Sequence, residues 1–288
     1  VLGVMIFIVL MGAVATPPVV ILAITAALLG ICIPASRIVA RIVEKKRYTF
    51  TVGGASFVGI LAAPWIVVAA NLALGRWMTA PVSVMTFMAA LSIAYAFGEG
   101  VGRLACISFG CCYGKPLSAC HPVVQRLFQG RSFVFSGKTK KISYANGWDG
   151  ERVVPIQAVT AVICCASGIL GVYLFLNGQY TAAFFESLII TQVWRSVSEV
   201  LRADYRGGRK ISAYQIMAIA AVGYAVLAAL FGPSVSTPPP DVLAGLGYLW
   251  HPAMILSLQA LWVLVFLYTG RSSVTGSAMS FHVIRERI

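Results

Sequence analysis

The sequence predicts an all-α polytopic membrane protein. Its 288 residues are 59% hydrophobic and only 11% charged, with a mean hydropathy of +0.86, whereas a soluble globular chain carries roughly 25% charged residues. The charged side chains are concentrated between long apolar blocks. Most of these blocks reach the length of about 20 residues that a helix needs to cross the hydrocarbon layer. The bilayer is therefore the expected solvent for most of this chain.

Eight helices are expected, each bounded by a break in the apolar pattern. The uncharged segment 1–36 is divided by Pro17 and Pro18, because a proline pair ends a helix more readily than it continues one. The next spans are 52–75, 77–98 and the block from 153, which ends near Asn177 and Gly178. Tyr180–Leu201 is a span that carries charges. The blocks 211–240 and 242–270 supply the last two helices, separated by the prolines at 238–240.

The longest polar segment, 115–152, is expected to form a compact extramembrane head or lid. The formal net charge is +13, but the basic residues lie between apolar spans, where they can face anionic lipid head groups. Nucleic acid is therefore not an expected partner. If the helices alternate, the basic segments 37–51, 103–152, 202–210 and the tail after 270 share one face of the membrane. The bias of lysine and arginine toward cytoplasmic loops would place that face in the cytoplasm.

Arg103 is the first candidate functional residue. Gly98, Gly100 and Gly102 precede it at every second position, so a backbone or a lipid head group can approach this helix end closely. Glu99 lies four residues before Arg103, one helical turn away, and can hold or neutralise its guanidinium. The alternative is an arginine at a helix end that only extends to the membrane interface.

A second group of charges occupies one face of a later helix. Arg195, Glu199 and Arg202 stand at positions i, i+4 and i+7 of an otherwise apolar segment. Charges inside a span are costly and usually functional. Two guanidinium forks that converge from different helices would bind a phosphodiester bidentately and stabilise charge that develops on it. The alternative is an ion-pair network that only fixes helix packing.

Residues 104–152 also hold a group of cysteines. Cys106, Cys111, Cys112 and Cys120, with His121 beside the last, are potential soft metal ligands. Their spacing lacks the paired C-x2-C of structural zinc sites, so neither a metal nor another cofactor is expected. Small packing residues are the preferred interpretation, with a disulfide and a metal site as alternatives.

Short motifs that follow one another over residues 1–233 resemble those of one known family. They are Ala35-Ser36-Arg37-Ile38, Gly53-Gly54-Ala55-Ser56-Phe57, Gly98-x-Gly100-x-Gly102-Arg103 with Gly110, Cys111-Cys112-Tyr113-Gly114, Pro155-Ile156-Gln157, Arg195-x-x-x-Glu199-x-x-Arg202 and Ser212-x-x-Gln215. In this order they are similar to motifs of the bacterial prolipoprotein diacylglyceryl transferases. These seven-helix inner-membrane enzymes move diacylglycerol from phosphatidylglycerol onto the lipobox cysteine of prolipoproteins.

The resemblance implies a seven-helix diacylglyceryl-transferase-like core with one extra C-terminal helix. Helices 1–4 would lie in 1–103, the head in 104–152, helices 5–7 in 153–233, and the additional helix with a basic tail in 234–288. Phosphatidylglycerol and a lipobox peptide would be the partners, and the bacterial cytoplasmic membrane the location. The family places its head outside the cytoplasm, against the charge bias above. Long loops are partly exempt from that bias, so the family orientation is preferred.

The resemblance also implies roles for individual residues. Arg103 and Arg195 would be the catalytic arginines that hold the lipid phosphate, and Glu199 would orient Arg195. The implied substrate-binding residues are Gly98, Gly100, Gly102, Gly114, Arg37, Ser56, Gln157, Arg202 and Gln215.

The chain departs from the family at four positions. Val58, Cys106, Val154 and Thr160 stand where the family carries histidine, asparagine, histidine and glutamate, so no general base is visible. Two alternatives therefore stay open. One is a transferase of the same fold with a different acceptor, and the other is a lipid-binding or transport protein that has lost catalysis.

Overall fold

The computed structural model describes residues 1–45, 51–78, 80–204, 211–231 and 237–270. Its α-helices are α1 (Leu2–Ala13), α2 (Pro18–Val43), α3 (Val52–Leu74), α4 (Val84–Phe109), α5 (Pro122–Phe128), α6 (Lys141–Asn146), α7 (Ile156–Leu176), α8 (Tyr180–Leu201), α9 (Ala213–Phe231), α10 (Val242–Gly247) and α11 (Pro252–Gly270). Two short strands, β1 (Phe133–Val134) and β2 (Arg152–Val153), pair antiparallel. The predicted basic tail after 270 lies outside the described residues.

Five of the described helices are long and apolar enough to cross a membrane: α2, α3, α4, α7 and α9. The pair α10 and α11 would add a sixth span, bent by 67° at its centre. Helix α1 has 12 residues, and α8 carries charged side chains. The prediction of an all-α multi-pass membrane protein is therefore confirmed. These spans do not establish a seven-helix core.

Prolines set two of the helix boundaries. Helix α1 ends at Ala13 and α2 begins at Pro18, which confirms the predicted break. The prediction of one continuous helix over Val242–Tyr268 is wrong, because α10 ends at Gly247 and α11 begins at Pro252. Proline has no N–H to donate and pushes the preceding residue toward an extended conformation, and His251 has a ψ of 128°.

Helix α4 is longer than the uncharged block 77–98 indicates. It begins at Val84 and continues through Glu99 and Arg103 to Phe109. The first residues of the segment assigned to the head, 104–109, are thus the last turns of a helix. An ion pair between Glu99 and Arg103 accounts for this continuation, since each charge offsets the burial of the other. The helix ends at Gly110 in the left-handed conformation, with a φ of 60°.

Helix α4 lies at the centre of the bundle and packs against α1, α7 and α8. Small residues make the contact with α7 close. A Cβ added to Gly100 would lie 2.7 Å from Cys165 Sγ and 3.1 Å from the Ala161 carbonyl oxygen. The main core is formed by large apolar side chains from these helices and their neighbours, among them Phe7, Phe87, Ile93, Phe175 and Phe184.

The segment expected to form the head contributes to a small core outside the helix bundle. Tyr113, Phe135, Ile142 and Val153 are buried together. The strand pairing joins Phe133 to Val153. Backbone hydrogen bonds then tie the head to the bundle, because Lys115 N–H donates to the Leu201 carbonyl (2.9 Å) and its own carbonyl accepts from Val154 N–H (3.0 Å). The head is thereby fixed over the ends of α4, α7 and α8.

Candidate functional site

Helices α4 and α8 bring the predicted arginines together inside the bundle. Tyr95, Glu99 and Arg103 follow one another at intervals of four residues, so they share one face of α4. Arg195 reaches the same place from α8. The prediction that Arg103 and Arg195 converge from different helices is confirmed by this geometry.

Glu99 is the carboxylate on which both guanidiniums meet. Arg103 Nη2 donates to Glu99 Oε1 within the helix, and Arg195 Nη2 lies 3.5 Å from Glu99 Oε2. Tyr95 completes the group, since its hydroxyl accepts from Arg195 Nη2 and donates to Glu99 Oε2 over 3.4 Å. The three charged side chains are only 6–13% exposed. Two buried cations thus share one anion.

One donor of this group stays unused. Arg195 Nε is buried and has no hydrogen-bond partner among the residues that the structure describes. A buried N–H without an acceptor costs roughly 1–3 kcal/mol, and more in a charged group. An anion that enters beside Arg195 would remove this cost, so the group has the properties of an anion-binding site.

Glu199 and Arg202 complete the charged face of α8. In the structure Arg195 contacts the Glu99 carboxylate of α4, and the role that the resemblance gives to Glu199 stays a prediction. Glu199 acts electrostatically on Arg202. Arg202 makes a bidentate pair with Asp204, with Nε–Oδ1 and Nη2–Oδ2 distances of 2.8 Å and 2.9 Å.

Most of these side chains line one narrow pocket. It is lined by Tyr95, Glu99, Arg103, Thr160, Cys164, Thr191, Trp194, Arg195, Ser198, Glu199 and Arg202. The free space in it is about 10 Å³, room for about one water molecule, so a phosphate would enter only with movement of the lining side chains. The lining combines three guanidiniums with two carboxylates and several hydroxyl groups.

The glycines before Arg103 divide into two kinds. Gly100 is buried against α7, as described above, and so has a packing role. Gly98 and Gly102 are exposed, and a Cβ added to either would meet nothing within 4 Å. This open face of α4 adjoins the charged group and leaves room for a lipid chain or head group.

Gly114 has a structural role at the base of the head. A Cβ on it would lie 2.4 Å from the Val154 carbonyl oxygen, closer than any side chain allows. Its backbone also forms an isolated antiparallel bridge with Arg202. Gly114 therefore positions Arg202 through the main chain.

The remaining predicted substrate-binding residues lie outside the lining of the pocket. Ser56 donates to the Gly53 carbonyl (3.1 Å), and Arg37 is exposed. Gln215 caps the start of α9 by accepting from Ser212 N–H (2.9 Å). Gln157 is buried, and its Nε2 donates to the Cys111 carbonyl (2.9 Å). Ser56, Gln157 and Gln215 thus make hydrogen bonds at helix ends and turns. Arg37 lies at an exposed position.

Tyr95, Thr160 and Trp194 belong to the pocket although the sequence analysis did not select them for it. Trp194 Nε1 donates to Thr160 Oγ1 (2.9 Å), which links α8 to α7. A signal was available for Tyr95, because it stands one turn before Glu99 on the same helix face. No such signal exists for Trp194. It is adjacent to Arg195 in the sequence, but adjacent residues on a helix point in different directions, so its contact with Thr160 depends on how α8 packs against α7.

Three cysteines form a cluster beside the arginines. The Sγ atoms of Cys106, Cys111 and Cys112 all lie within 4.8 Å of one another. Hydrogen bonds from the thiols of Cys106 and Cys111, together with the charge of Arg202, hold the pKa of the Cys112 thiol well below its ordinary value. Packing of small side chains and binding of a soft metal ion are both compatible with this arrangement.

Comparison of the chain with family models, with curated proteins and with solved structures finds no match.

Proposed function

We propose that this protein is a phospholipid-dependent transferase that moves a diacylglyceryl group from phosphatidylglycerol to the lipobox cysteine of prolipoproteins. The observation that carries the proposal is the buried pair of guanidiniums, Arg103 and Arg195, on the single carboxylate of Glu99. The motif resemblance supplies the identity of donor and acceptor. The bacterial cytoplasmic membrane is the proposed location.

A lipid phosphate suits this site better than a soluble anion. The charges lie inside a helix bundle whose other surfaces are apolar, and Gly98 and Gly102 leave the neighbouring face of α4 open. The phosphate would contact the side chains that line the pocket, while the acyl chains stay in the surrounding membrane. A phosphodiester monoanion would supply an acceptor for the unused Arg195 Nε.

The proposed transfer is a displacement at carbon. The thiolate sulfur of the acceptor attacks the glycerol carbon of the diacylglyceryl group that bears the phosphodiester oxygen. A C–S bond forms, and the C–O bond breaks with its electron pair going to that oxygen, so glycerol phosphate leaves with one more negative charge. Arg103 and Arg195 stabilise this developing charge from fixed positions.

The proton of the acceptor thiol needs a base. No histidine lines the pocket among the described residues, and we propose that Glu199, on the lining, accepts this proton and passes it to water. A free thiol has a pKa of about 8.5, so it is already partly ionised near neutral pH and requires only weak assistance. The absence of the family's histidine is compatible with catalysis for this reason.

The test uses labelled phosphatidylglycerol and a lipobox peptide with purified wild-type protein and the variants Arg103→Lys and Arg195→Lys. Lysine keeps the charge and loses the planar fork, so each variant should lose about 10²–10³ in rate, the effect of removing one well-placed donor. Arg126→Ala, at an exposed arginine of α5, is the matched control and should keep the wild-type rate. Failure of the wild type to form thioether product, where a known transferase succeeds, would refute the proposal.

A lipid-binding or transport protein without catalysis is the second candidate, favoured by the absence of a histidine in the described pocket. It predicts that wild type binds phosphatidylglycerol, that Arg103→Lys and Arg195→Lys weaken binding, and that no product forms with any acceptor. A transferase with another acceptor would release glycerol phosphate only when that acceptor replaces the peptide. A topology reporter fused after Ile288 decides between the two orientations of the basic face.

A further inference from the structure

The three-cysteine cluster is created by the way the chain turns at the end of α4. Cys106 lies in the last turn of that helix, and Cys111 N–H donates back to the Cys106 carbonyl (3.1 Å). Gly110 and Cys112 both have positive φ, 60° and 54°. These two left-handed residues fold the chain back over the helix end, so residues five and six positions after Cys106 return to its side.

The turn is held from two directions. Gln157 Nε2 donates to the Cys111 carbonyl (2.9 Å), which fixes the middle of the cluster to the start of α7. Ile142 N–H from the head donates to the Gly110 carbonyl (3.1 Å). A left-handed conformation is uncommon for a residue with a Cβ and persists where its surroundings enforce it. The positions of the thiols are therefore determined by the fold before any ligand arrives.

We propose that Cys106, Cys111 and Cys112 form a binding site for a thiophilic cation such as Zn²⁺. The Zn–S bond measures about 2.3 Å, so sulfur atoms around one tetrahedral zinc lie about 3.8 Å apart. Sγ atoms that are all within 4.8 Å of one another reach this geometry with small side-chain rotations. No fourth Cys, His, Asp or Glu joins this cluster within the described part of the chain.

Charge also fits this assignment. Three thiolates around a divalent ion carry a net charge of about −1, and Arg103 and Arg202 are near enough to Cys112 to act on it electrostatically. The complex would therefore have cationic neighbours. All three cysteines are half-buried, so each keeps some contact with the surroundings. Three protein ligands leave one coordination position for water or a substrate group, as in catalytic zinc sites.

The site is independent of the lipid chemistry proposed above, and its test measures metal binding directly. The reduced full-length chain is purified in detergent, stripped with a chelator and titrated with Zn²⁺ against a chromophoric competitor. About one tightly bound Zn²⁺ per chain is expected. The variant C106S/C111S/C112S should lose this tight site, whereas C32S/C120S/C165S, with the same number of substitutions elsewhere, should retain it.

A second measurement needs no variant and so does not depend on folding of the substituted protein. Wild-type protein is alkylated with and without Zn²⁺, and the modified residues are identified by mass spectrometry. Zinc should protect Cys106, Cys111 and Cys112 and leave Cys120 reactive. Equal alkylation in both conditions would mean that the cluster consists of hydrogen-bonded thiols only, and the proposal would be wrong. Unchanged zinc stoichiometry in a folded C106S/C111S/C112S variant would overturn it as well.

Discussion

Replacement of Glu99 by glutamine is the most direct perturbation of the charged group. The amide keeps the size and shape of the side chain but removes the negative charge that Arg103 and Arg195 share. Both guanidiniums remain charged, since arginine is not deprotonated in proteins. Glu99→Gln therefore leaves two buried cations beside each other without their common anion.

The magnitude follows from the geometry. Arg195 Nη2 lies 3.5 Å from Glu99 Oε2, and at an effective dielectric constant of about 20 two unit charges at this separation attract by roughly 5 kcal/mol. Removal of one partner from a buried ion pair typically destabilises a protein by about 3–5 kcal/mol. The two values agree, and the loss corresponds to a decrease in melting temperature on the order of 10 °C.

The assay is thermal unfolding of the purified protein in detergent, with and without glycerol phosphate. Glu99→Gln should unfold earlier than wild type without the anion and should recover more stability than wild type when the anion is added, because a ligand bound only by the folded state stabilises it. Glu186→Gln is the matched control. Glu186 is a partly buried carboxylate on the same bundle that hydrogen-bonds Ser187 (2.9 Å), and its replacement should cost about 1 kcal/mol.

Two results would refute this reasoning. If Glu99→Gln melts at the wild-type temperature, Glu99 does not balance the two guanidiniums. If it melts early but gains no more than wild type from glycerol phosphate, the arginines are a packing network rather than an anion site.

Three further substitutions test how the head and the C-terminal helices are attached. Gly114→Ala should lower the free energy of unfolding by about 1–3 kcal/mol through overpacking, because its Cβ would lie 2.4 Å from a carbonyl oxygen. Gly130→Ala in the same head is the control, since its Cβ would meet nothing within 4 Å. Thermal unfolding of both variants measures the difference. Asp204→Asn should cost about 3–5 kcal/mol by leaving Arg202 without its charged bidentate partner, and denaturant unfolding that shows no change would contradict this. Gly245→Ala should separate α10 from α1, since its Cβ would lie 2.3 Å from the α1 backbone, and should increase proteolysis near the bend at residue 251.

Prolines predict breaks between helices, but a long run of apolar residues on both sides can hide such a break. Pro17 and Pro18 predict the boundary between α1 and α2, and the structure confirms it. Pro252 carries the same signal, yet the apolar residues on both sides of it merge into one apparent span. The opposite error occurs at Glu99, where a single charge ends the uncharged block although the helix continues. A helix tolerates that charge because Arg103 stands one turn later.

The candidate site is only partly predictable, for a different reason. Spacing along one helix is enough to pair Glu99 with Arg103 and to align Arg195, Glu199 and Arg202. It cannot show that the carboxylate bonded to Arg195 comes from α4, since that depends on how α4 and α8 pack. The cysteines are visible as a group in the sequence, but their spacing does not show that three of them meet, because left-handed residues in the turn after α4 bring these three together.

The unused donor of Arg195 is the strongest reason to look for a ligand. If the group existed only to fix helix packing, apolar side chains of similar volume would serve as well or better, because a buried ion pair seldom repays its desolvation. Here Arg103 and Arg195 share Glu99, and Arg195 Nε lacks a partner in the described structure. The unpaired Arg195 N–H costs free energy while the site is empty. An anion that accepts from it removes this cost, as expected of a phosphate-binding site inside a membrane.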